Sequence, residues 1–382
     1  MILSCPTAFK GTIDAPSAAR ALAEGARRAV PGRPVVEMPL SDGGNGLIDA
    51  LHAAKAGVVR QVSVTGPLGD AVQARILRLA DAAVVETADA NGLHLVPPAR
   101  RDPMVTTTWG VGELLLAAAD AAHLIVGLGG SATVDGGAGM AQALGWQLLD
   151  DVGEAIGRGG AGLLRLSRIR PPDRAPVLPP TTALHDVRNP LLGDEGAAPV
   201  FGPQKGAGPD DVHRLGDALA RLAECLTRDV GRDVRALDGG GAAGGLGAAL
   251  AAFVGAELVP GGAWVLNAVG FDAALAEADA VVTGEGAFDA QSGMGKVVGE
   301  VIQRARHRQV PVLLVAGRVE GSLPDGVYGV DATTLSRRAA PGGASMRGAR
   351  HRDREVTGDE RLLQTGDLTD LVARKLPGLL GG

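Results

Sequence analysis

The chain has 382 residues, enough for two or three domains, with 46% hydrophobic residues, 21% charged residues and a formal net charge of −6. That negative balance excludes the basic footprint of a nucleic-acid binder, and the two cysteines, Cys5 and Cys225, exclude a disulfide framework or a cysteine-rich metal site. Only 2% of residues are aromatic, so the core must be built from Ala, Val and Leu.

The N-terminal MILSCPTAFK has no basic region followed by an apolar stretch, and so does not read as a secretory signal. Met1 to Cys5 reads as a strand. Asp14, Ala15 and Pro16 then form a helix start, with Ala18, Leu22, Ala26 and Val30 at helical spacing. Pro31-Gly32 stops that helix, and Val35 to Leu40 reads as the next strand. Further strands are expected at Ala83 to Glu86, Leu124 to Val126, Ala280 to Thr283 and Val310 to Ala316. Strands alternating with helical patterns predict an α/β protein with a parallel sheet. Residues 63–110 have shorter β-like runs, and a proline-rich connection spans 170–180. The organisation expected is one α/β domain from both chain ends, 1–65 and 275–382, with a second α/β domain, 66–274, inserted. The longest uncharged run, Gly239 to Ala256, is Gly- and Ala-rich and falls short of the ~20 strongly apolar residues of a membrane span, so the chain reads as cytoplasmic with no membrane partner. Residues 336–360 are charged and aperiodic and read as a solvated loop, and Leu368 to Leu376 as a final helix.

The stretch GLGGSATVDGGAGMAQALG, from Gly127 to Gly145, is the strongest local signal. Gly127, Gly129 and Ala132 fit a dinucleotide fingerprint, with Asp150 roughly 20 residues on. Asp135, Gly136, Gly137 and Gly139 argue against it, because each glycine inside a helix costs ~1 kcal/mol relative to alanine. The helix is therefore expected to start near Ala138 or Met140. A long loop remains whose amides suit an anion, with Ser131, Thr133 and Asp135 adding polar groups. A P-loop at Gly295-Lys296 fails, because Val297 stands where Ser or Thr is required. Three other junctions also carry glycine: Ser41-Asp42-Gly43-Gly44-Asn45-Gly46, Gly239 to Gly245, and Thr283-Gly284-Glu285-Gly286 leading to Asp289. One such junction is most simply a tight turn. Several with acids point to phosphate oxygens held by glycine amides and to Mg²⁺ held by carboxylates.

These residues resemble the bacterial glycerate kinase family of two α/β domains. The resemblance runs from about residue 1 to 335. It rests on Phe9-Lys10-Gly11, Ser41-Asp42-Gly43-Gly44, Thr65-Gly66-Pro67-Leu68-Gly69, NGLHLVPPARRDPMVTTTWGVGEL and the Gly127 stretch. It continues through Asp186-Val187-Arg188-Asn189-Pro190-Leu191, Phe201-Gly202-Pro203-Gln204-Lys205-Gly206, GAAGGLGAAL, and Thr283 to Gly286 with Asp289 and Gln291. It implies a flavodoxin-like domain from the chain ends, a second α/β domain inserted, and an active site in the cleft between them. It also implies ATP-dependent phosphorylation of glycerate, usually at the 2-hydroxyl, with Mg²⁺. A homodimer is left open. Three positions depart from the family pattern. Pro6-Thr7-Ala8 stand where Asp-Ser usually precedes Phe-Lys, Asn45 replaces an acid, and Ala287 replaces an arginine. Such changes are expected to alter how glycerate is held, to change the acceptor, or to leave a non-catalytic nucleotide-binding relative.

A kinase of this kind has to position a hydroxyl, neutralise phosphate and accept a proton. Asp186 is the expected general base or substrate-orienting carboxylate, with Asn189 beside it; a turn-capping aspartate is the plain alternative. Lys10 and Lys205 are expected to neutralise phosphate or the glycerate carboxylate, and Arg188 to pair with a carboxylate. Asp42, Gly43, Gly44, Gly129, Gly130, Ser131, Thr133 and Asp135 are the expected substrate and phosphate contacts. Glu285 and Asp289 are the expected Mg²⁺ ligands. His185, at a strand end without a nucleophile placed beside it, reads as structural.

Overall fold

The structure, a computed structural model, describes residues 1–9, 11–288, 296–320, 323–332 and 363–380. These residues form thirteen strands: β1 (Ile2–Ser4), β2 (Val35–Glu37), β3 (Val58–Thr65), β4 (Ala71–Arg78), β5 (Ala82–Glu86), β6 (His123–Gly127), β7 (Gln147–Leu149), β8 (Arg168–Arg170), β9 (Thr181–His185), β10 (Glu257–Pro260), β11 (Ala280–Phe288), β12 (Val312–Val319) and β13 (Val327–Asp331). They divide between two compact units. A terminal unit comprises Met1–Leu40 and Gly270–Gly382, and a central unit comprises Ser41–Val269.

The terminal unit holds a five-stranded sheet in the order β13-β12-β11-β1-β2, parallel throughout. Counted within that unit, this is the 2-1-3-4-5 order of a flavodoxin-like sheet. The first helix, Ala15–Ala29, starts where its sequence dictates. Asp14 accepts the Ser17 amide at 2.7 Å, Pro16 sits in the first turn, and Arg27 and Arg28 face the negative end of the helix dipole. Its Ala18, Leu22 and Ala26 bury against β1, β11 and β12 residues in one core. The last helix, Thr365–Leu380, packs on the first. Gly25 permits that approach, since a Cβ there would stand 2.5 Å from the Thr369 carbonyl oxygen and 2.7 Å from Val372 Cβ.

The central unit holds a six-stranded sheet in the order β10-β9-β6-β5-β4-β3. Its first four strands are parallel, and β4 and β3 are added antiparallel. A small antiparallel pair, β7 with β8, stands apart from it. Its core is Ala, Val and Leu, including Val85, Val126, Leu124, Ala183, Leu219 and Leu222.

Two sequence expectations are corrected. The domain boundary expected at 65 falls at 40 by packing, because β3 pairs along its whole length with β4 and so belongs to the central sheet. The Thr283 to Gly286 segment is not a junction after a strand. It continues β11, with Glu285 in register with Ala316 and Ala287 with Arg318.

Candidate active site

Ligands of open α/β sheets gather at the carboxyl ends of the parallel strands. In the central unit two glycine segments meet there. The 41–46 loop lies directly on the 127–130 backbone. A Cβ at Gly44 would stand 3.1 Å from the Leu128 carbonyl oxygen and 3.4 Å from Gly129 Cα. Gly43 has φ +93° and is closed in on its other side, 2.8 Å from Gly261 Cα and 2.8 Å from Leu184 Cβ by the same measure. The Leu128 amide donates to the Leu184 carbonyl at 2.8 Å, which ties the loop after β6 to the end of β9. Asp186, half-buried, is the first residue beyond β9. Asp42, Gly43, Gly44, Gly129 and Gly130 are thus brought to the strand ends from which Asp186 follows.

A third segment, Gly239 to Gly245, packs against the residues that end and follow β9 and against the loop at Thr133 to Gly136. Gly241 donates its amide to Asn189 O at 2.9 Å, and Gly136 donates to Gly244 O at 3.1 Å. Ala243 adopts φ 52°, a left-handed conformation that costs a non-glycine residue energy and persists because the flanking contacts fix it.

The helix after the long loop begins at Ala138, as its sequence led us to expect, and residues through Gly137 are not helical. A dinucleotide fingerprint requires its helix to start near Ser131, so that reading is removed.

Four expected ligand contacts prove to be internal to this loop. Asp135 is fully buried and accepts four hydrogen bonds: from the Thr108 amide and hydroxyl at 2.9 and 2.8 Å, and from the Gly137 and Gly139 amides at 3.1 and 3.3 Å. Burial pushes its carboxyl up and those donors pull it down. It caps the helix at Ala138 and ties it to the Thr106 to Thr108 segment. Lys205 is buried too, and its ammonium donates to Ser131 Oγ and to the Thr133 carbonyl, each at 2.8 Å. Thr133 Oγ1 accepts from Asn91 Nδ2 at 3.2 Å. Ser131, Thr133, Asp135 and Lys205 therefore form the foundation of the loop, and the exposed part is Gly130 with half-exposed Gly129.

Other expected residues fall elsewhere. The Arg188 side chain is 85% exposed and pairs with Asp238 at 3.3 Å, an orientation toward solvent. Asn189 donates to the Glu195 carbonyl at 2.8 Å, shaping its own turn. His185 is buried, with Nδ1 2.9 Å from the Val187 carbonyl oxygen, and burial lowers its basicity, as befits a structural group. Lys10 and Asp289 lie outside the described residues. Glu285 lies half-buried in the terminal unit. Among the described residues no three His, Cys, Asp or Glu side chains group as a metal cage. The Glu285 carboxylate is a hard oxygen donor of the kind Mg²⁺ takes, one or two at a time, beside phosphate and water.

Sequence reasoning missed Glu86. It closes β5, is buried, and accepts the Gly46 amide at 3.1 Å and the Ile48 amide at 2.8 Å. The available signal was an acid ending an apolar strand, AAVVE. It also missed Gly261, whose lack of a side chain admits the Asp42 backbone.

The description "Glycerate kinase family" matches residues 2–351. The chain belongs to the glycerate kinase family. It is therefore a phosphotransferase with an alcohol group as acceptor, with ATP as co-substrate. The glycerate kinase of Halalkalibacterium halodurans is 43% identical over 87% of this chain and 89% of its own. The glycerate 2-kinase of Escherichia coli is 42% identical over 87% and 89%. A crystal structure of a putative glycerate kinase 2 from Salmonella typhimurium superposes with a TM-score of 0.78 at 39% identity, covering 100% of this chain and 97% of that one. Among the described residues no helix is long and apolar enough to cross a membrane.

Proposed function

We propose that this chain phosphorylates D-glycerate at its 2-hydroxyl, converting ATP to ADP and releasing 2-phosphoglycerate in the cytoplasm. The observation that carries this reading is the meeting of the 41–46 and 127–130 backbones at the strand end from which Asp186 follows. The name of the Escherichia coli relative supports the 2-position.

Phosphoryl transfer asks little covalent work of a protein and much positioning. Asp186 accepts the proton of the 2-hydroxyl as that oxygen attacks the γ-phosphorus. The bond from the γ-phosphorus to its bridging oxygen breaks, and ADP leaves. Backbone amides of Gly44, Gly129 and Gly130 hold anionic oxygens, while the Gly43 amide, donated to Ser41 Oγ, keeps its loop fixed, so little reorganisation is needed. Asp42 orients a substrate hydroxyl. Lys10 supplies the cation that Lys205, committed to Ser131 and Thr133, does not. Glu285 and Asp289 would hold Mg²⁺, whose charge offsets that of the phosphates.

A second reading keeps the chemistry and changes the acceptor to another small hydroxy acid. It is favoured by Asn45, which replaces a family acid, is exposed, and lies with its amide against Gly130. The test is ADP release with ATP, Mg²⁺ and D-glycerate beside a panel of hydroxy acids, with the phosphate position read by ³¹P NMR and Asp186→Asn as control. Turnover of glycerate to the 2-phosphate, lost in the control, is expected. The 3-phosphate would overturn the position assigned, and turnover of another acid alone would establish the second reading. Silence across the panel with ATP still bound would mark a non-catalytic relative.

A further inference from the structure

We infer that Glu86 is a positioning residue for the 41–46 loop: its ionised carboxylate fixes the end of that loop in the form that binds the acceptor. The kinetic consequence rests on the proposed kinase reading; the structural one does not.

The helix that follows the loop, Leu47–Ala54, begins at Gly46, which has φ +85° and no side chain to cap it. Helix starts are normally capped by the residue at that position. Here the acceptor comes from another element, with Glu86 Oε2 on the Gly46 amide and Oε1 on the Ile48 amide. The other end of the loop is tied by Ser41, whose Oγ accepts the Gly43 amide at 3.2 Å and lies 3.2 Å from the Asn45 carbonyl oxygen. Asp42, Gly43 and Gly44 are thus held between two anchors. Glu86 is in register with Gly127, so the strand end that anchors one loop adjoins the root of the other.

The groups around Glu86 make its charge conditional. From β4, the Arg75 guanidinium stands 3.6 Å from Oε2. It is shared with Asp89 at 3.0 Å, from the short helix Ala88–Asn91, and with Asp49 at 3.1 Å, from Leu47–Ala54. β6 contributes the uncharged Gly127. Three carboxylates share one cation. Burial pushes the Glu86 carboxyl up to about 7, against the pull of the Ile48 and Gly46 amides and Arg75. Protonation turns one acceptor oxygen into a donor facing an N–H, and one amide loses its partner.

The sign for stability is opposite to that for binding. The folded value lies above the ordinary 4.5, so the folded protein keeps a proton that the unfolded chain has released. Stability from this group is present at low pH and lost as pH rises through about 7.

The experiment follows hydrogen exchange of the peptide spanning 41–50 in the unliganded protein from pH 5.5 to 8.5, together with kcat and KM for the acceptor, in wild type, Glu86→Gln and Asp89→Asn. In the wild type, protection at Gly46 and Ile48 is expected to fall below pH ~7 as KM rises. Glu86→Gln is expected to raise KM about tenfold, hold kcat within about twofold and flatten the pH dependence of KM. Asp89→Asn, which removes one of the neighbouring negative charges, is expected to move the loss of protection to lower pH, which keeps the inference testable if Glu86→Gln does not fold. Equal protection at every pH in wild type, or an unshifted midpoint in Asp89→Asn, would overturn it. If the wild type turns over no acceptor, the kinase reading fails while the exchange measurement still decides the role of Glu86.

Discussion

Lys205 holds Ser131 from inside the protein: its ammonium, buried, donates at 2.8 Å to Ser131 Oγ and at 2.8 Å to the carbonyl of Thr133. A lysine beside glycine reads from sequence as a phosphate ligand. Here it braces the loop from within, and half-exposed Gly129 and exposed Gly130 are left at its surface.

That placement has a pH signature. Burial lowers Lys205 from 10.5 to about 7, with Asp135 pulling the other way. Between these values the unfolded chain holds a proton that the folded protein has released, so stability rises with pH across the window. Lys205→Met should remove this slope. Urea unfolding at neutral and at alkaline pH should show the wild type gaining on the variant as pH rises, and kcat/KM of the variant should fall ~100-fold as the loop loses its brace.

Asp135→Asn tests whether the buried carboxylate is foundation or ligand. The asparagine amide would face N–H groups of Thr108, Gly137 or Gly139 that now donate to the carboxylate, leaving at least one unsatisfied. We expect a loss of about 3 kcal/mol in chemical denaturation. The fraction that remains folded should keep the wild-type KM for ATP, whereas a ligand role would raise it.

Arg188 and Asp186 sit two residues apart and should behave differently. Arg188→Ala removes an exposed ion pair with Asp238 and should change stability by no more than ~0.5 kcal/mol and kcat/KM by less than about twofold. Asp186→Asn should lower kcat about 10²–10⁴-fold with stability little changed. Steady-state kinetics beside thermal melts separate the two.

Gly25→Ala places a methyl group against the Thr369 carbonyl and Val372 Cβ. The first and last helices must then move apart, at a cost of about 1–3 kcal/mol. Limited proteolysis should release the C-terminal helix before any other segment, and thermal unfolding should begin earlier.

Several of these elements were legible in the sequence for stated reasons. The helix start at Ala138 follows from the cost of glycine inside a helix, and the final helix from the apolar spacing of Leu368 to Leu376. The family was legible because its motifs are spread along most of the chain. The boundary at 40 was not legible, because alternation in 58–65 reveals a strand but not which sheet will pair with it. Nor was the direction of a side chain. DVRN places Arg188 and Asn189 beside Asp186 in sequence, but Arg188 turns to Asp238 and Asn189 to its own turn. The braces Lys205 and Glu86 act on amides and hydroxyls distant in sequence, and no local pattern records such a pairing.

The sheet of the terminal unit has a consequence for synthesis. Strand β1 is interior, flanked by β2 on one side and β11 on the other, with Ile2 in register with Ala280. On the ribosome, the first strand made must wait for its second neighbour until most of the chain has been translated, a delay of tens of seconds at about 5–20 residues per second. The central unit, continuous from Ser41 to Val269, can complete its own sheet during that interval. Every nascent copy thus carries an apolar strand with one open edge past a finished neighbour. Chaperone demand and aggregation during expression should therefore track the time between residues 37 and 280, so that slow codons within that interval would be more harmful than slow codons after β11.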